Sequence, residues 1–318
     1  MYDLRRLALL HDLAVFGTLI AVANVNSITP SAVSQQLRRL EDETGTELLA
    51  RQGRRVHLTP AGRALADRAA EIISSMERAE GELNEIRNGM TGEVVVGAYA
   101  SLMGPVGGRL AAVVVALDRR IRLRLTGTTP DDLLSAIFGR QLNLALVLRY
   151  PHLEEPLPGT VAWRELFDEQ FVALVPAELE QAVRAQGLAA LSGQQWIIGA
   201  ANLSCTQTVL AACRDAGFTP DVRHQDAGYQ AAAALVAAGL GVAVVPELSV
   251  IALPPHVKMV PCGVPSRRVT LVYRRGTESR RAVRVVLQAA AGLTHPGRQP
   301  ASLPAPPAPD RAALLNSQ

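Results

Sequence analysis

The sequence predicts an α/β protein in which a small helical N-terminal domain precedes a long helix and two lobes of alternating strands and helices. Three observations predict this architecture. Residues 29–41 form a capped helical pattern with an apolar and a polar face, residues 65–86 carry an apolar repeat of 3.5 residues, and apolar strands alternate with helices from residue 92 onward. The chain has 318 residues, 48% of them hydrophobic, so it is long enough for two folded domains.

The helix predicted over residues 29–41 has the composition of a helix that reads DNA. Thr29 suits the N-cap and Pro30 the first helical position. Its apolar face holds Val33, Leu37 and Leu40, and its polar side holds Ser31, Ser34, Gln35 and Arg38. Gln pairs with adenine, Arg with guanine, and Ser with either base. An ordinary amphipathic surface helix has the same pattern, so the neighbouring segments must decide.

Those neighbours favour a winged helix-turn-helix. Two shorter helices are predicted over residues 4–14 and about 18–25, and a hairpin, or wing, is predicted around Gly53. Wing arginines behind such a motif favour contact with phosphates or the minor groove, although a solvated loop is the alternative. The expected DNA-binding residues are Thr29, Pro30, Ser31, Ser34, Gln35, Arg38, Arg51, Arg54 and Arg55.

Thr59 and Pro60 form a second cap and first-turn pair, which opens a long helix. Seven apolar residues follow at alternating spacings of four and three: Leu65, Ala69, Ile72, Met76, Ala79, Leu83 and Ile86. A strict 3.5-residue repeat favours a partner helix over the helix's own domain. The sequence therefore predicts a dimer joined along this seam.

The remaining chain predicts two parallel α/β units. In the first, strands at 94–97, 121–125 and 142–148 alternate with helices at 103–117 and 130–138; in the second, strands at 171–175, 196–199 and 242–245 accompany helices at 204–216 and 229–238. A strand at 269–273 returns to the first unit, and a helix at 279–291 closes it.

Loops at the carboxyl ends of strands are expected to line a ligand cleft between the lobes. The candidate effector-binding residues are Ser101, Leu102, Thr128, Thr129, Asn202, Ser204, Cys205 and Tyr229. For each of them, a role in loop packing is the alternative. This set is neutral and polar, which disfavours an effector with several charges.

Several function classes are disfavoured by what the sequence lacks. No nucleophile elbow, Walker A loop, dinucleotide fingerprint or metal-ligand spacing occurs, so we expect no catalysis, no cofactor and no metal. Three cysteines without a CxxC pair fit a reducing cytoplasm. No segment is expected to span a membrane. An exported solute-binding protein is the alternative, because Leu13–Val25 imitates a signal peptide, but His11 and Asp12 interrupt the leader.

The chain resembles a LysR-type transcriptional regulator over residues 2 to about 292. The resemblance rests on residues 29–41, on Arg51-x-Gly53-Arg54-Arg55-x-x-Leu58-Thr59-x-x-Gly62, and on the glycine-rich segment 237–246. It implies a winged helix-turn-helix at 1–59, a linker and dimerisation helix at 60–89, and an effector domain at 92–293. That domain would have two α/β lobes, similar to type 2 periplasmic binding proteins, with lobe I at about 92–160 and 267–293 and lobe II at about 161–266. Residues 294–318 are Pro-rich and read as a disordered tail.

The resemblance also implies partners and raises one question about DNA binding. The expected partners are double-stranded DNA with a dyad-symmetric promoter site, a small-molecule effector, a second copy of the chain in dimers that pair into tetramers, and RNA polymerase. Asn26 stands where the family usually has an apolar Leu, so it either caps the turn or weakens the domain.

Cys205 lies where the peroxide-sensing branch has its reactive cysteine, and Cys213 follows, so a thiol-based redox sensor is the alternative within the family.

Overall fold

The protein is described from a computed structural model that covers residues 2–52, 55–88, 92–150, 153, 157–225 and 228–296. Its N-terminal domain consists of α1 (Leu4–Phe16), α2 (Leu19–Asn26), α3 (Pro30–Thr44) and the hairpin β1 (Leu49–Gln52) and β2 (Arg55–Leu58). The predicted winged helix-turn-helix is thereby confirmed. Its core is formed by Leu7, Leu10, Leu13, Val22, Ala23, Val33, Leu37, Leu40 and Leu48.

Side-chain caps define where these three helices begin. Asp3, Thr18 and Thr29 each accept a hydrogen bond from a backbone N–H two or three residues ahead, which satisfies a donor that the first helical turn leaves free. The apolar run that imitates a signal peptide lies in α1 and α2. Its residues Leu13, Val22 and Ala23 are buried in the domain core, which explains their apolarity by packing within the fold.

One long helix, α4 (Pro60–Asn88), leaves the N-terminal domain. Its first turn lies so close to the wing that a Cβ at Gly62 would be 2.1 Å from the backbone oxygen of Leu48. Only glycine permits this approach, which explains why it occurs at the third position of the helix.

Lobe I contains a five-stranded mixed sheet. It is built from β3 (Gly92–Ala98), β4 (Ile121–Gly127), β5 (Leu144–Arg149), β6 (Val161–Glu169) and β12 (Arg267–Arg274), in the order β4-β3-β5-β12-β6. β3 is parallel to β4 and β5 as expected, but β12 runs antiparallel to both of its neighbours. Residues 161–169 were expected in lobe II, but β6 pairs with the returning strand β12 and so belongs to lobe I.

Lobe II consists of β7 (Phe171–Pro176), α8 (Glu180–Gln186), β8 (Gln195–Ile197), α9 (Ser204–Asp215), β9 (Asp221–His224), α10 (Tyr229–Ala237), β10 (Val242–Pro246) and β11 (Val257–Pro261). Its strands form a second mixed sheet in the order β11-β7-β10-β8-β9. The sequence did not predict α8, β9 or β11. The last two are short strands at the edges of the sheet, where partly exposed residues give no continuous apolar run.

The helices of lobe I are α5 (Ala100–Leu102), α6 (Arg109–Leu117), α7 (Pro130–Phe138) and α11 (Arg281–Ala291), with a π-helical segment at Met103–Gly108. Contrary to expectation, Ala100–Leu117 is long and apolar enough to cross a membrane by length and composition alone. In this fold Leu102, Val106, Leu110 and Val114 are instead packed into the core of lobe I.

The predicted tail begins later than expected. His295 is buried, and its ring packs edge-on against Phe167 with 5.5 Å between the ring centroids. Residues 294–296 are therefore part of the effector domain, and the rest of the predicted tail, 297–318, lies outside the described residues.

Candidate DNA interface and effector site

The polar side of α3 is accessible, while its apolar side is fixed in the domain core. Val33, Leu37 and Leu40 are buried. The DNA-reading candidates are exposed or half-buried: Thr29, Pro30, Ser31, Gln35 and Arg38 are exposed, and Ser34 is intermediate. The helix therefore presents to solvent the side chains that were expected to read base edges.

Side chains on the rest of α3 fix its orientation. Glu41 Oε1 accepts hydrogen bonds from the backbone N–H groups of Leu48 and Leu49, at 2.9 and 3.0 Å, which holds the base of the wing against α3. Arg6 of α1 donates to Gln36 at 3.0 Å and pairs with Glu43. Sequence reasoning missed Glu41, because a lone carboxylate in a polar helix gives no signal of its own.

Two of the three predicted wing arginines lie on the strands of the hairpin. Arg51 lies on β1 and Arg55 on β2, and the register pairs Gln52 with Arg55 across the hairpin. Arg54 lies outside the described residues. The hairpin directly follows α3, as the DNA-binding hypothesis requires.

Asn26 caps a turn and is exposed, so the expected cost of a buried unpaired amide does not arise. Its amide nitrogen donates to Asp12 Oδ2 at 2.8 Å and to the backbone oxygen of Val22 at 3.0 Å. The following residue, Ser27, adopts the left-handed conformation that ends α2. Of the two outcomes considered for Asn26, the structure has the one in which it caps the turn.

The apolar seam of α4 divides into two parts. Ala69 is fully buried and Leu65 half-buried in their own domain, because α4 packs there against α1, so these two predicted dimerisation residues are corrected to core residues. Ile72, Met76, Ala79, Leu83 and Ile86 are exposed. Leu83 and Ile86 expose 61% and 80% of their surface, which is unusual for large apolar side chains in a row.

Lobe II contains a partly open, mostly apolar cavity of about 200 Å³. Two of the predicted effector residues, Cys205 and Tyr229, line it at the starts of α9 and α10, and the Tyr229 hydroxyl donates to Cys205 Sγ at 3.3 Å. Burial raises the pKa of the Tyr229 hydroxyl, so it remains a hydrogen-bond donor at neutral pH. Further lining residues are Phe171, Ile197, Ile198, Leu203, Val209, Ala232, Val244 and Val245.

A buried ion pair lies where the two lobes meet. Arg267 Nε donates to Glu169 Oε2 at 2.8 Å, and its terminal nitrogens donate to Tyr150 at 3.2 Å and Ser101 at 3.4 Å. Burial opposes the charge of Arg267, but the Glu169 carboxylate outweighs it and holds the guanidinium pKa above its ordinary value. Ser101, a predicted effector residue, thus contacts a charge that is already compensated.

Other predicted effector residues lie elsewhere. Leu102 is fully buried in the core of lobe I, since α5 packs inward, so it is corrected to a core residue. Thr128 and Thr129 line a separate open cleft between lobe I and α2, where Thr129 also caps α7. Asn202 and Ser204 are exposed beside the lobe II cavity but do not line it.

The sequence matches two family models, one for each part of this architecture. The model described as "Bacterial regulatory helix-turn-helix protein, lysR family" matches residues 4–63, and "LysR substrate binding domain" matches residues 87–293. The chain belongs to the LysR family. It is a DNA-binding transcriptional regulator with an effector-binding domain.

Curated relatives of this LysR regulator are named as transcriptional regulators. The RuBisCO operon transcriptional regulator of Allochromatium vinosum is 29% identical over 86% of this chain and 90% of its own length. The transcriptional dual regulator GltC of Bacillus subtilis is 27% identical over 68% of this chain and 71% of its own. The hydrogen peroxide-inducible genes activator of Haemophilus influenzae is 25% identical over 87% of this chain and 92% of its own.

Solved structures share the fold of this LysR regulator. A full-length OxyR variant from Pseudomonas aeruginosa has a TM-score of 0.57 at 21% identity and covers 96% of this chain and 99% of its own. Full-length CbnR in complex with its target DNA has a TM-score of 0.54 at 18% identity, and the match covers 91% of this chain and 99% of the CbnR chain. At these identities the likeness concerns the fold.

The cysteines of this LysR regulator are not arranged as a ready disulfide switch. Cys205 and Cys213 both lie in the continuous helix α9, eight residues apart. That spacing corresponds to about 12 Å along the helix axis, well beyond the reach of a disulfide. Burial raises the pKa of the Cys213 and Cys262 thiols to about 11, which keeps them in the less reactive protonated form.

Sequence reasoning missed the charge pair between the lobes. Glu169 and Arg267 are 98 residues apart and come together because β6 and β12 are neighbours in the sheet. Neither residue stands in a recognisable motif. The signal would have been the strand β6 itself, which the sequence pattern did not reveal.

Proposed function

We propose that this LysR regulator reads base edges with Ser31, Ser34, Gln35 and Arg38 of α3. Thr29, Pro30 and the wing arginines Arg51, Arg54 and Arg55 would hold the DNA backbone. The observation that supports this assignment is the exposed polar side of α3 opposite a buried apolar side. An exposed row of Gln, Arg and Ser side chains has the donors and acceptors that the major groove requires.

A gel-shift titration tests this assignment on DNA from the region upstream of the protein's own coding sequence. A Gln35→Ala/Arg38→Ala double variant removes two base-reading side chains, each worth about 1–3 kcal/mol. We expect its affinity to fall about 30-fold or more. The wild-type complex should also weaken steeply with salt, because phosphate contacts release counterions.

Arg68→Ala is the matched control, because it also removes one exposed arginine but from α4, where Arg68 pairs with Glu71 at 2.9 Å. It should keep wild-type affinity at fixed salt. Equal losses in both variants would mean that only net charge matters, and α3 would not be the reading helix.

We also propose the lobe II cavity and the lobe junction as the effector site, with Cys205 and Tyr229 as contacts. A concave, mostly apolar space with few polar groups is the usual form of a small-molecule site. Ala232→Leu would fill part of this space from α10. If effector screening by thermal shift yields a ligand, Ala232→Leu should abolish the shift, whereas the exposed Ala238→Leu should retain it.

The remaining assignments complete the proposal. Self-association would use the exposed apolar stripe of α4, defined as Ile72, Met76, Ala79, Leu83 and Ile86. The dimer would bind a dyad-symmetric DNA site, act in the cytoplasm and respond to its effector without catalysis. Sedimentation of the purified protein measures the self-association directly.

A further inference from the structure

The lobe II cavity has no charged side chain among the described residues that line it. Its walls are mostly apolar, with Phe171 and Val209 among them. Arg267 lies close enough to act electrostatically on Tyr229 at the cavity wall, but it is 1% exposed and paired with Glu169 at 2.8 Å. An anion in the cavity would therefore find no positive side chain on the described wall, and the charge of Arg267 is already compensated.

Three side chains with hydrogen-bonding atoms line the described part of the cavity: Cys205, Thr206 and Tyr229. Two of them are engaged with each other, because the Tyr229 hydroxyl donates to Cys205 Sγ at 3.3 Å. Thr206 is 5% exposed, and its hydroxyl makes no hydrogen bond within the described part of the chain. By contrast, the hydroxyl of Thr208 on the same helix donates to the backbone oxygen of Ser204 at 2.7 Å. A buried hydroxyl without a partner is unfavourable, so a bound molecule that supplies the partner binds more tightly.

The backbone adds donors at the same place. The helices α9 and α10 both begin at the cavity, and neither has a side-chain cap at its N-terminus. The aligned peptide dipoles place about half of an elementary charge at each such end. Together with the Thr206 hydroxyl, the N–H groups of the first turns suit an acceptor oxygen. A partial charge does not replace the full counter-ion that a desolvated carboxylate requires, so an uncharged acceptor is favoured.

The volume of the cavity limits the size of the ligand. At about 200 Å³ it is somewhat larger than an engineered apolar cavity of roughly 150 Å³ that holds benzene. A six-membered ring with one short substituent therefore fills it. A Cβ at Gly199 would lie 3.1 Å from Thr206 Oγ1, so the glycine leaves the Thr206 hydroxyl accessible from the cavity.

We propose that the effector is a small uncharged molecule with one apolar ring and one carbonyl oxygen, and that the Thr206 hydroxyl donates to this oxygen. The ring lies against the apolar walls of the cavity. Thr206 selects for the oxygen, and the uncharged wall selects against a carboxylate. This inference rests on the proposed effector site and adds to it the chemical class of the ligand and its polar contact.

Three probes of similar shape test the proposed class. Acetophenone has a carbonyl oxygen, ethylbenzene has no oxygen, and benzoate has a charge. Saturation-transfer NMR titrations of the full-length protein at neutral pH give the dissociation constant of each probe. Acetophenone should bind at least about threefold more tightly than ethylbenzene, because it pairs with the Thr206 hydroxyl. It should bind at least about tenfold more tightly than benzoate, because the carboxylate loses hydration without gaining a counter-ion.

A pair of threonine variants tests the polar contact. Thr206→Val removes the hydroxyl and keeps the shape of the side chain, so acetophenone should bind at least about threefold more weakly while ethylbenzene does not. Thr208→Val is the matched control, because Thr208 is also buried in α9 but does not line the cavity. It should leave the affinity for both probes unchanged. Equal losses of acetophenone affinity in the two variants, or an equal loss for ethylbenzene in Thr206→Val, would contradict the contact.

Benzoate binding as tight as that of acetophenone, or binding of none of the three probes, would overturn the proposed class. Ala232→Leu separates this failure from failure of the proposed effector site. If Ala232→Leu abolishes benzoate binding, the site is correct and the class is wrong. If the probes that bind the wild type bind Ala232→Leu equally well, they bind elsewhere and the site itself is wrong. The gel shift on upstream DNA uses no probe, so the assignment of α3 is tested independently.

Discussion

The two long faces of α4 are opposite in character to those of a typical surface helix. The face toward lobe I carries the buried charge of Glu77 and the small residues Ser74 and Gly81. The face toward solvent carries the exposed apolar stripe of Ile72, Met76, Ala79, Leu83 and Ile86. A helix that packs only within its own chain buries its apolar face and exposes its charges.

This inversion indicates that the two faces serve different contacts. Directional polar contacts fix one register of the helix on lobe I, because a guanidinium and a carboxylate must meet in a narrow range of geometry. An apolar stripe is non-directional, and left exposed it marks a surface for another chain. The four predictions below test this division, from the largest expected effect to the smallest.

Replacing Glu77, the buried charge on the face of α4 toward lobe I, should have the largest effect on stability. Glu77→Leu leaves the Arg274 guanidinium buried without its carboxylate, and such a change costs about 3–5 kcal/mol. Hydrogen exchange of residues 74–81 and 274–280 should report this loss of local stability. Glu71→Leu, at an exposed position on the same helix, should change it by less than about 0.5 kcal/mol. Similar costs for both variants would remove the distinction between the two faces.

Removing a side chain from the exposed apolar stripe of α4 should weaken dimerisation and leave the fold of the subunit intact. Leu83→Ala removes two apolar side chains per dimer, worth about 2–3 kcal/mol together, or roughly a 30- to 150-fold higher dissociation constant. Analytical ultracentrifugation over a concentration series measures this change. Glu82→Ala, exposed and off the stripe, should leave the constant unchanged. A dimer that tolerates Leu83→Ala would place the interface elsewhere.

Comparing two glycine variants tests the close approach of α4 to lobe I. Gly276 and Gly263 both have positive φ, but only at Gly276 would a Cβ meet another residue. Both Ala variants should therefore lower the free energy of unfolding by about 1–2 kcal/mol, because alanine is strained in the left-handed backbone conformation. Gly276→Ala should lower it by about 1–2 kcal/mol more, because its Cβ would clash with Ser74. Urea unfolding of the two variants gives the difference, and equal midpoints would mean that the helix is not held at this distance.

The smallest effect is expected for the exposed ion pair of Arg68 and Glu71. Both side chains are about 70% exposed, at 74% and 68%. Arg68→Ala should change the urea midpoint by an amount equivalent to less than about 0.5 kcal/mol. A larger loss of stability would show that charges on the solvent side of α4 also stabilise the fold.

The fold was predictable wherever one pattern is strong over many residues. Caps at Thr29 and Thr59 and the apolar faces of α3 and α4 located the DNA-binding domain and the linker correctly. Edge strands β9 and β11 and the antiparallel strand β6 were not predictable in the same way. Their pairing depends on which distant strand lies beside them, and local periodicity contains no information on that.

The candidate site was predicted unevenly for a similar reason. The exposure of Gln35 and Arg38 follows from helical geometry, so a single sequence was sufficient. Leu102 was placed at the cleft because it follows a strand, but the turn at residues 100–102 directs it into the core. The contacts of Glu77 with Arg274 and of His11 with Thr160 connect residues more than 140 positions apart, and only the folded chain brings them together.

The length of α4 makes it a lever. Its 29 residues span about 43 Å at 1.5 Å per residue, so a rotation of only about 10° about one end would displace the other end by roughly 7 Å. Along B-DNA that displacement equals about two base pairs at 3.4 Å each. A regulator built on such a lever would convert a small change in how its subunits are angled into a change in the half-site spacing that it favours on a promoter.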